Sequence, residues 1–271
     1  MTVPAIRRLA LAAIAGGVTV GAERLLTAHP PGGLARWVRT NYRKRDVDLL
    51  GGPAAAAGMS AAAVALASTA PGLAAAAGGG AVLGLYDDLA GHTHARGLRG
   101  HVAALRSGTV TSGLVKMAGL VASGVLASRL GGARRGLATD VVLVAGTANL
   151  VNLLDLRPGR ALKVVLLVAT PLALTDGGNG GSSAAAAVAG VSIALLPSDL
   201  GERHMLGDGG ANALGAALGW TLASRLSSRG RALAAGVVVG LTLVSERVSF
   251  SRVIAGHPVL AAVDEWGRRT T

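Results

Sequence analysis

Nine runs of small apolar residues divide this chain, with short polar loops between them. The runs cover roughly residues 5–27, 53–71, 73–86, 110–129, 137–154, 160–175, 183–197, 210–225 and 232–246. An apolar stretch of about 20 residues crosses a bilayer as a helix, because only a helix satisfies its own backbone polar groups in hydrocarbon. Nine such runs in 271 residues leave no room for a separate soluble core. The expected fold is therefore all-α: a polytopic transmembrane helix bundle of about nine spans, forming a single integral membrane domain over 1–271. Pro71-Gly72 is expected to turn the chain between the second and third spans. Thr175 to Ser183 forms a Gly-rich loop between the sixth and seventh. Arg7 and Arg8 ahead of the first run imitate a signal peptide. Glu23-Arg24 and the basic loop that follows favour a retained helix.

Composition removes the competing classes. Charged residues make up only 15% of the chain, against about 25% in soluble domains. The absence of cysteine excludes disulfide scaffolds and thiolate metal sites. The 41 glycines follow no triplet period, which excludes collagen. The net charge of +12 does not mark a nucleic-acid binder, since its arginines are spread between apolar runs. Nine spans place alternate loops on one side. That side carries 16 Lys and Arg residues against 8 on the other. The excess assigns it to the cytoplasm of a plasma or inner-membrane protein. Eleven of the fourteen carboxylates fall on the same side. A face that holds a cation explains that gathering.

Three of these acidic segments carry chemistry. Asp87 and Asp88 end the third run, and adjacent carboxylates repel unless a cation or basic group offsets them. A solvated helix end is the bland alternative. Asn149, Asn152 and Asp155 recur at i, i+3 and i+6 and share one side of a helix. They can hold a phosphate-bound metal or a substrate hydroxyl, or simply bond neighbouring helices. Asp208, in Gly207-Asp208-Gly209-Gly210, opens the eighth run. It can cap that helix or sit beside a phosphate at its N-terminus. Lys116, about six residues into the fourth span, can snorkel to the interface or neutralise a phosphate. His92 and His94, with Arg96, Arg99 and His101 nearby, suit a basic phosphate-contacting loop better than a zinc site. Neither a P-loop nor a nucleophile-elbow motif is present.

Taken in order, these blocks resemble the polyprenyl-phosphate N-acetylhexosamine-1-phosphate transferases, the glycosyltransferase family 4 type. The matching segments are Asn41–Pro53 with its Gly51-Gly52 pair, Gly84–Asp88, Asn149–Asp155 and Met205–Gly215. Lys116 falls where the family carries a lysine, and the match covers about residues 40–220. The resemblance implies Mg²⁺-dependent transfer of a sugar-1-phosphate from a nucleoside diphosphate sugar to a polyprenyl phosphate, in cell-envelope or cell wall glycan synthesis. The donor class implied is a UDP-N-acetylhexosamine. It implies catalytic roles for Asp87, Asp88 and Asp208, and a metal held by Asp208 and Asp155, with Mn²⁺ as a substitute. Lys116, Asn149, Asn152, Asp155, Arg43 and Arg157 would contact substrate. The expected partners are the lipid carrier and the nucleotide sugar, with no nucleic acid. Gly- and Ala-rich helix faces permit a homodimer.

The sequence also departs from that pattern. Asp155 is followed by Leu-Arg157-Pro158-Gly159-Arg160 in place of a second aspartate. The donor-loop histidine cluster is reduced to His257. Asp46 and Asp48 stand where prolines are common. A non-catalytic lipid-phosphate-binding or scaffold relative is the alternative these departures favour. A transporter is disfavoured because the carboxylates lie at helix ends. Residues 247–271 read as a cytoplasmic interfacial tail, with Val253, Ile254, Val259, Leu260, Val263 and Trp266 among charges.

Overall fold

The computed structural model of the chain describes residues 2–68, 70–90, 97–131, 136–176 and 180–269. These residues form twelve α-helices: α1 (Val3–Ala28), α2 (Gly51–Ala65), α3 (Pro71–Ala90), α4 (Gly97–Arg106), α5 (Ser112–Leu130), α6 (Leu137–Leu154), α7 (Arg160–Leu174), α8 (Gly181–Leu200), α9 (Gly207–Arg225), α10 (Ser228–Ser245), α11 (Phe250–Ala255) and α12 (Pro258–Glu265). The helical expectation holds. One addition is a hairpin in the first loop, where β1 (Val38–Thr40) pairs antiparallel with β2 (Asp46–Asp48).

Each of the nine expected runs forms a helix, and among the described residues some of these helices have the length and apolarity of a membrane span. Four helices are long and apolar enough: α1 from Pro4, α5, α6 and α8. α2 and α7 have 15 residues each, about 22 Å at 1.5 Å per residue. A helix of that length crosses a hydrocarbon core of about 30 Å where the bilayer thins or flanking residues complete the span. The turn between α2 and α3 also differs from expectation. The chain reverses before Pro71, and Pro71 opens α3, where its missing N–H costs no helix bond.

Small side chains set the packing. In the apolar window of α8, 67% of residues are buried, against 22% in α1. α8 is therefore central, while α1 lies on the periphery. α1 still packs closely on α8: a Cβ on Gly16 would stand 2.9 Å from the Gly190 carbonyl oxygen. Glycine and alanine at such crossings let backbones approach closely, so dispersion contacts run along the whole crossing. α10 turns Leu233, Val237, Leu241 and Leu243 outward.

The helices alternate in direction, so polar groups collect at two ends. At one end Arg8 pairs with Asp176 at 2.8 Å, and Arg231 with Asp140 at 3.2 Å. The other end holds the hairpin, the α6–α7 turn, the start of α9 and the α11–α12 tail. Glu23, expected within the first span, also reaches this second end. Its carboxylate accepts from Ser198 Oγ at 2.9 Å.

Candidate active site

Helix register builds the site. A Cβ on Gly84 of α3 would overlap the carbonyl oxygen of Asp208 on α9, and one on Gly80 would overlap that of Asn212. The two helices are thus antiparallel with their backbones in contact. Asp87 and Asp88, one turn past Gly84, must then arrive beside Asp208. On the far side of α9, a Cβ on Gly215 would lie 2.7 Å from Ala148 Cα of α6. Seven residues back from Gly215 is Asp208, and seven on from Ala148 is Asp155. Antiparallel packing brings those two carboxylates to one level. α5 meets α3 through Gly119 against Leu83 and Gly79 against Ser123. This sets Lys116 level with Asp87.

The contacts follow that register. Lys116 Nζ donates to Asp87 Oδ2 at 2.6 Å and also to Asp208 Oδ2. Lys116, Asp87 and Asp208 are 12%, 17% and 26% exposed, so the pairs are only weakly screened by solvent. Asp88 does something different. Its two oxygens accept the backbone N–H groups of Asp208 at 3.1 Å and Gly209 at 2.9 Å. Asp88 thereby caps α9 from another helix, and Asp208's side chain is left for Lys116. Gly207, at φ +58°, makes the entry turn, and any side chain there would strike Leu49 or Asp88. The alternative in which Asp208 caps its own helix gives way to this arrangement.

Asp87, Asp88, Lys116, Asn149, Asn152, Asp155 and Asp208 line one cavity of about 620 Å³. Its size is that of a small-molecule site. Arg39, His101 and Glu246 complete the rim. Asp155 caps the C-terminus of α6, with part of its surface open to the cavity. Its pKa is raised well above the ordinary value, by desolvation first and then by the carboxylates of Asp199, Asp208 and Asp88. The Gly207 N–H opposes this only in part.

The wall carries more carboxylate than cation. Among the described residues no three His, Asp or Glu groups converge as a ready metal cage. The donors present are carboxylate and amide oxygens, which suit a hard divalent ion. Magnesium needs few protein ligands when water and substrate phosphate supply the rest. Asp208 and Asp155 are among the cavity's oxygen donors that could hold such an ion.

Not every expected substrate contact reaches this cavity. Arg43 pairs with Glu202 at 2.9 Å, and Arg157 lies 3.8 Å over the Tyr42 ring. Both line a neighbouring pocket instead. His257 sits exposed at the N-cap of α12, away from the cavity. His92, His94 and Arg96 lie outside the described residues. His101 does reach the rim, its Nδ1 2.8 Å from Thr111 Oγ1.

Sequence reasoning missed His204. Its Nδ1 lies 2.7 Å from Asp48 Oδ1, and its Nε2 lies 3.3 Å from Thr27 Oγ1. Asp48 also accepts Leu50 N–H at 2.9 Å, and its carbonyl accepts Met205 N–H at 2.7 Å. This knot seats Gly51-Gly52 on residues 205–206, where a Cβ on Gly51 would stand 2.6 Å from the Met205 carbonyl oxygen. A histidine four residues before Asp208 and an aspartate three before Gly51 were the only hints. The chain matches no protein-family model and no curated protein sequence.

Proposed function

We propose that this chain is a Mg²⁺-dependent transferase, moving a sugar-1-phosphate from a nucleoside diphosphate sugar to a polyprenyl phosphate. The observation carrying the reading is Lys116 bridging Asp87 and Asp208, with Asn152 and Asp155 on the same cavity wall. Phosphoryl transfer asks mainly for positioning and charge neutralisation. In this reading an oxygen of the lipid phosphate attacks the β-phosphorus of the donor. The bond to the bridging oxygen breaks, and nucleoside monophosphate leaves. Lys116 meets phosphate charge, Asp87 orients or deprotonates the lipid phosphate, and Asn149 and Asn152 contact the donor. Asp88 acts by fixing the start of α9. Asp208 and Asp155 would hold Mg²⁺, which supplies electrostatic stabilisation of the phosphates when bound. The proposal extends the four apolar helices to about nine spans, with the cavity facing the cytoplasm of a plasma or inner membrane. A soluble nucleotide then meets a membrane-held phosphate, and the role is envelope glycan synthesis.

The test is nucleoside monophosphate release from a panel of nucleotide sugars and a polyprenyl phosphate. Turnover should require Mg²⁺ or Mn²⁺, stop with chelator, and vanish in Asp208→Asn and Asp87→Asn. Full activity in either variant rejects the reading. A non-catalytic lipid-phosphate-binding relative is the second reading. It is favoured because Lys116 already pairs with both Asp87 and Asp208, the carboxylates the transfer would use. Prenyl-phosphate binding without turnover across the panel would establish it.

A further inference from the structure

The C-terminal tail has two faces of opposite character. Along α12 and just beyond it, Ala261, Asp264 and Arg268 are half-buried, at i, i+3 and i+7. Asp264 is held there by Arg160 of α7 and by Arg268. Val259, Val263 and Trp266 recur at i, i+4 and i+7, so they lie on the opposite side of the helix. They are 65%, 59% and 72% exposed. α11 repeats the pattern. Ser251, which accepts from Arg160 at 2.8 Å, is half-buried, while Val253 is exposed. The ion pairs thus hold the tail in a fixed roll and turn a row of large apolar side chains away from the bundle.

The place of this row decides what covers it. A Cβ on Gly267, one residue past Trp266, would stand 3.1 Å from Leu200 Cδ1. Leu200 is the last residue of α8, one of the four helices able to cross a membrane. Arg160 and Lys163, which hold α12, lie in the first turn of α7. α12 therefore lies where the apolar part of the bundle ends, at the depth of a membrane–water interface. Tryptophan is enriched at that depth, because its ring is apolar and its N–H stays wet.

Charge selects the kind of surface. Among the described residues, the side chains of Arg247, Arg252 and Arg269 make no hydrogen bond or ion pair, and all three are exposed. Glu265 is the one exposed carboxylate of residues 247–269. The uncommitted charge of the tail is thus positive, which complements anionic headgroups.

We propose that α11 and α12 form a membrane-docking surface, with Val259, Val263 and Trp266 set into an anionic leaflet beside α7 and α8. Arg247, Arg252 and Arg269 meet its headgroups. The occupant is the bulk leaflet, and the inference does not depend on the transferase reading. A helix of this kind sinks its apolar face about 5–10 Å into the boundary between headgroups and acyl chains.

The test exploits the absence of native cysteine. Val259→Cys, Val263→Cys and Trp266→Cys, one at a time in the full chain, each carry a nitroxide spin label. The chains are placed in nanodiscs of phosphatidylcholine and phosphatidylglycerol. Collisions with oxygen, which concentrates in lipid, are compared with collisions with a water-soluble nickel chelate. All three labels should be oxygen-rich and nickel-poor, like one at Val121→Cys on an exposed part of α5. A label at Arg45→Cys, in the hairpin turn, should be nickel-rich. Arg252→Gln combined with Arg269→Gln should weaken the docked state roughly twentyfold, since each basic residue near the surface is worth about fivefold. Nickel access at Val263 should rise accordingly, as it should in nanodiscs of phosphatidylcholine alone. Nickel access at all three positions equal to that at Arg45 would mark a solvent face and overturn the proposal. Exclusion of both reagents would mark a face covered by protein, a second copy included, and would also overturn it. Equal immersion with and without phosphatidylglycerol would overturn the anionic assignment.

Discussion

Replacing Asp264 with alanine should release the C-terminal tail from the bundle. Arg160 grips Asp264 through two parallel bonds, Nε to Oδ1 at 2.7 Å and Nη2 to Oδ2 at 2.8 Å. Arg268 adds a contact to Oδ1 at 2.7 Å. Arg160 and Asp264 are 5% and 10% exposed, so solvent screens the pair little. Lys163 Nζ completes the latch by capping α12, donating to the carbonyls of Val263, Asp264 and Trp266. Removing one partner of a buried ion pair costs about 3–5 kcal/mol, because the other charge is left unpaired. That is roughly a hundredfold to several-thousandfold in the docking equilibrium. The tail is short and has no buried residue in α11 or α12, so the loss should appear as local opening rather than global unfolding. Amide hydrogen exchange read by mass spectrometry should accelerate by that factor in α12 and stay unchanged in α8. Asp264→Asn, which keeps an acceptor, should lose less.

The pH dependence has a definite sign. Burial acts to raise the pKa of Asp264, but the hydrogen bonds and charges of Arg160 and Arg268 outweigh it and leave the pKa lowered. The docked value therefore lies below the undocked one. The latch keeps its full contribution above the ordinary value of 3.8 and loses it as pH falls through the docked value. Exchange in α12 that matches wild type in the alanine variant, or a tail that loosens between pH 7 and 5, would refute this account.

Three further outcomes follow from the site. Asp88→Ala leaves two N–H groups at the start of α9 without their acceptor, which should lower Tm in detergent by roughly 5–10 °C, read by circular dichroism. Asp88→Asn should lower it less. Gly84→Val should separate α3 from α9, destabilise by about 1–3 kcal/mol and abolish turnover. Gly78→Val, where a Cβ meets nothing within 4 Å, should leave the melting curve unchanged. Lys116→Gln should cut kcat for nucleoside monophosphate release by roughly a hundredfold or more.

Much of the fold was legible because helices in this chain are written by long apolar runs. The nine expected runs agree with nine helices to within a few residues, apart from the turn ahead of Pro71. Hydropathy does not say how many cross a membrane when the residues are so largely alanine and glycine, and among the described residues four helices meet that test by length and composition. Of the expected site, the i, i+3, i+6 series of Asn149, Asn152 and Asp155 was visible because one helix and its C-cap carry all three. The first-loop hairpin and its tie to His204 were not, since Asp48 and His204 are 156 residues apart.

What the sequence determined alone is local: apolar runs that must be helical, carboxylates at helix ends, and glycines spaced for close approach. Those are properties of segments, set by backbone satisfaction and side-chain volume. Only the tertiary structure decided which carboxylate does what. Asp87 and Asp88 are neighbours in sequence, yet the helix turns their side chains to different partners, Lys116 for one and the α9 amides for the other. It likewise carried Arg43 and Arg157 away from the carboxylates into a pocket of their own. Register between antiparallel helices fixes such assignments, and register is a property of paired surfaces that no single segment carries.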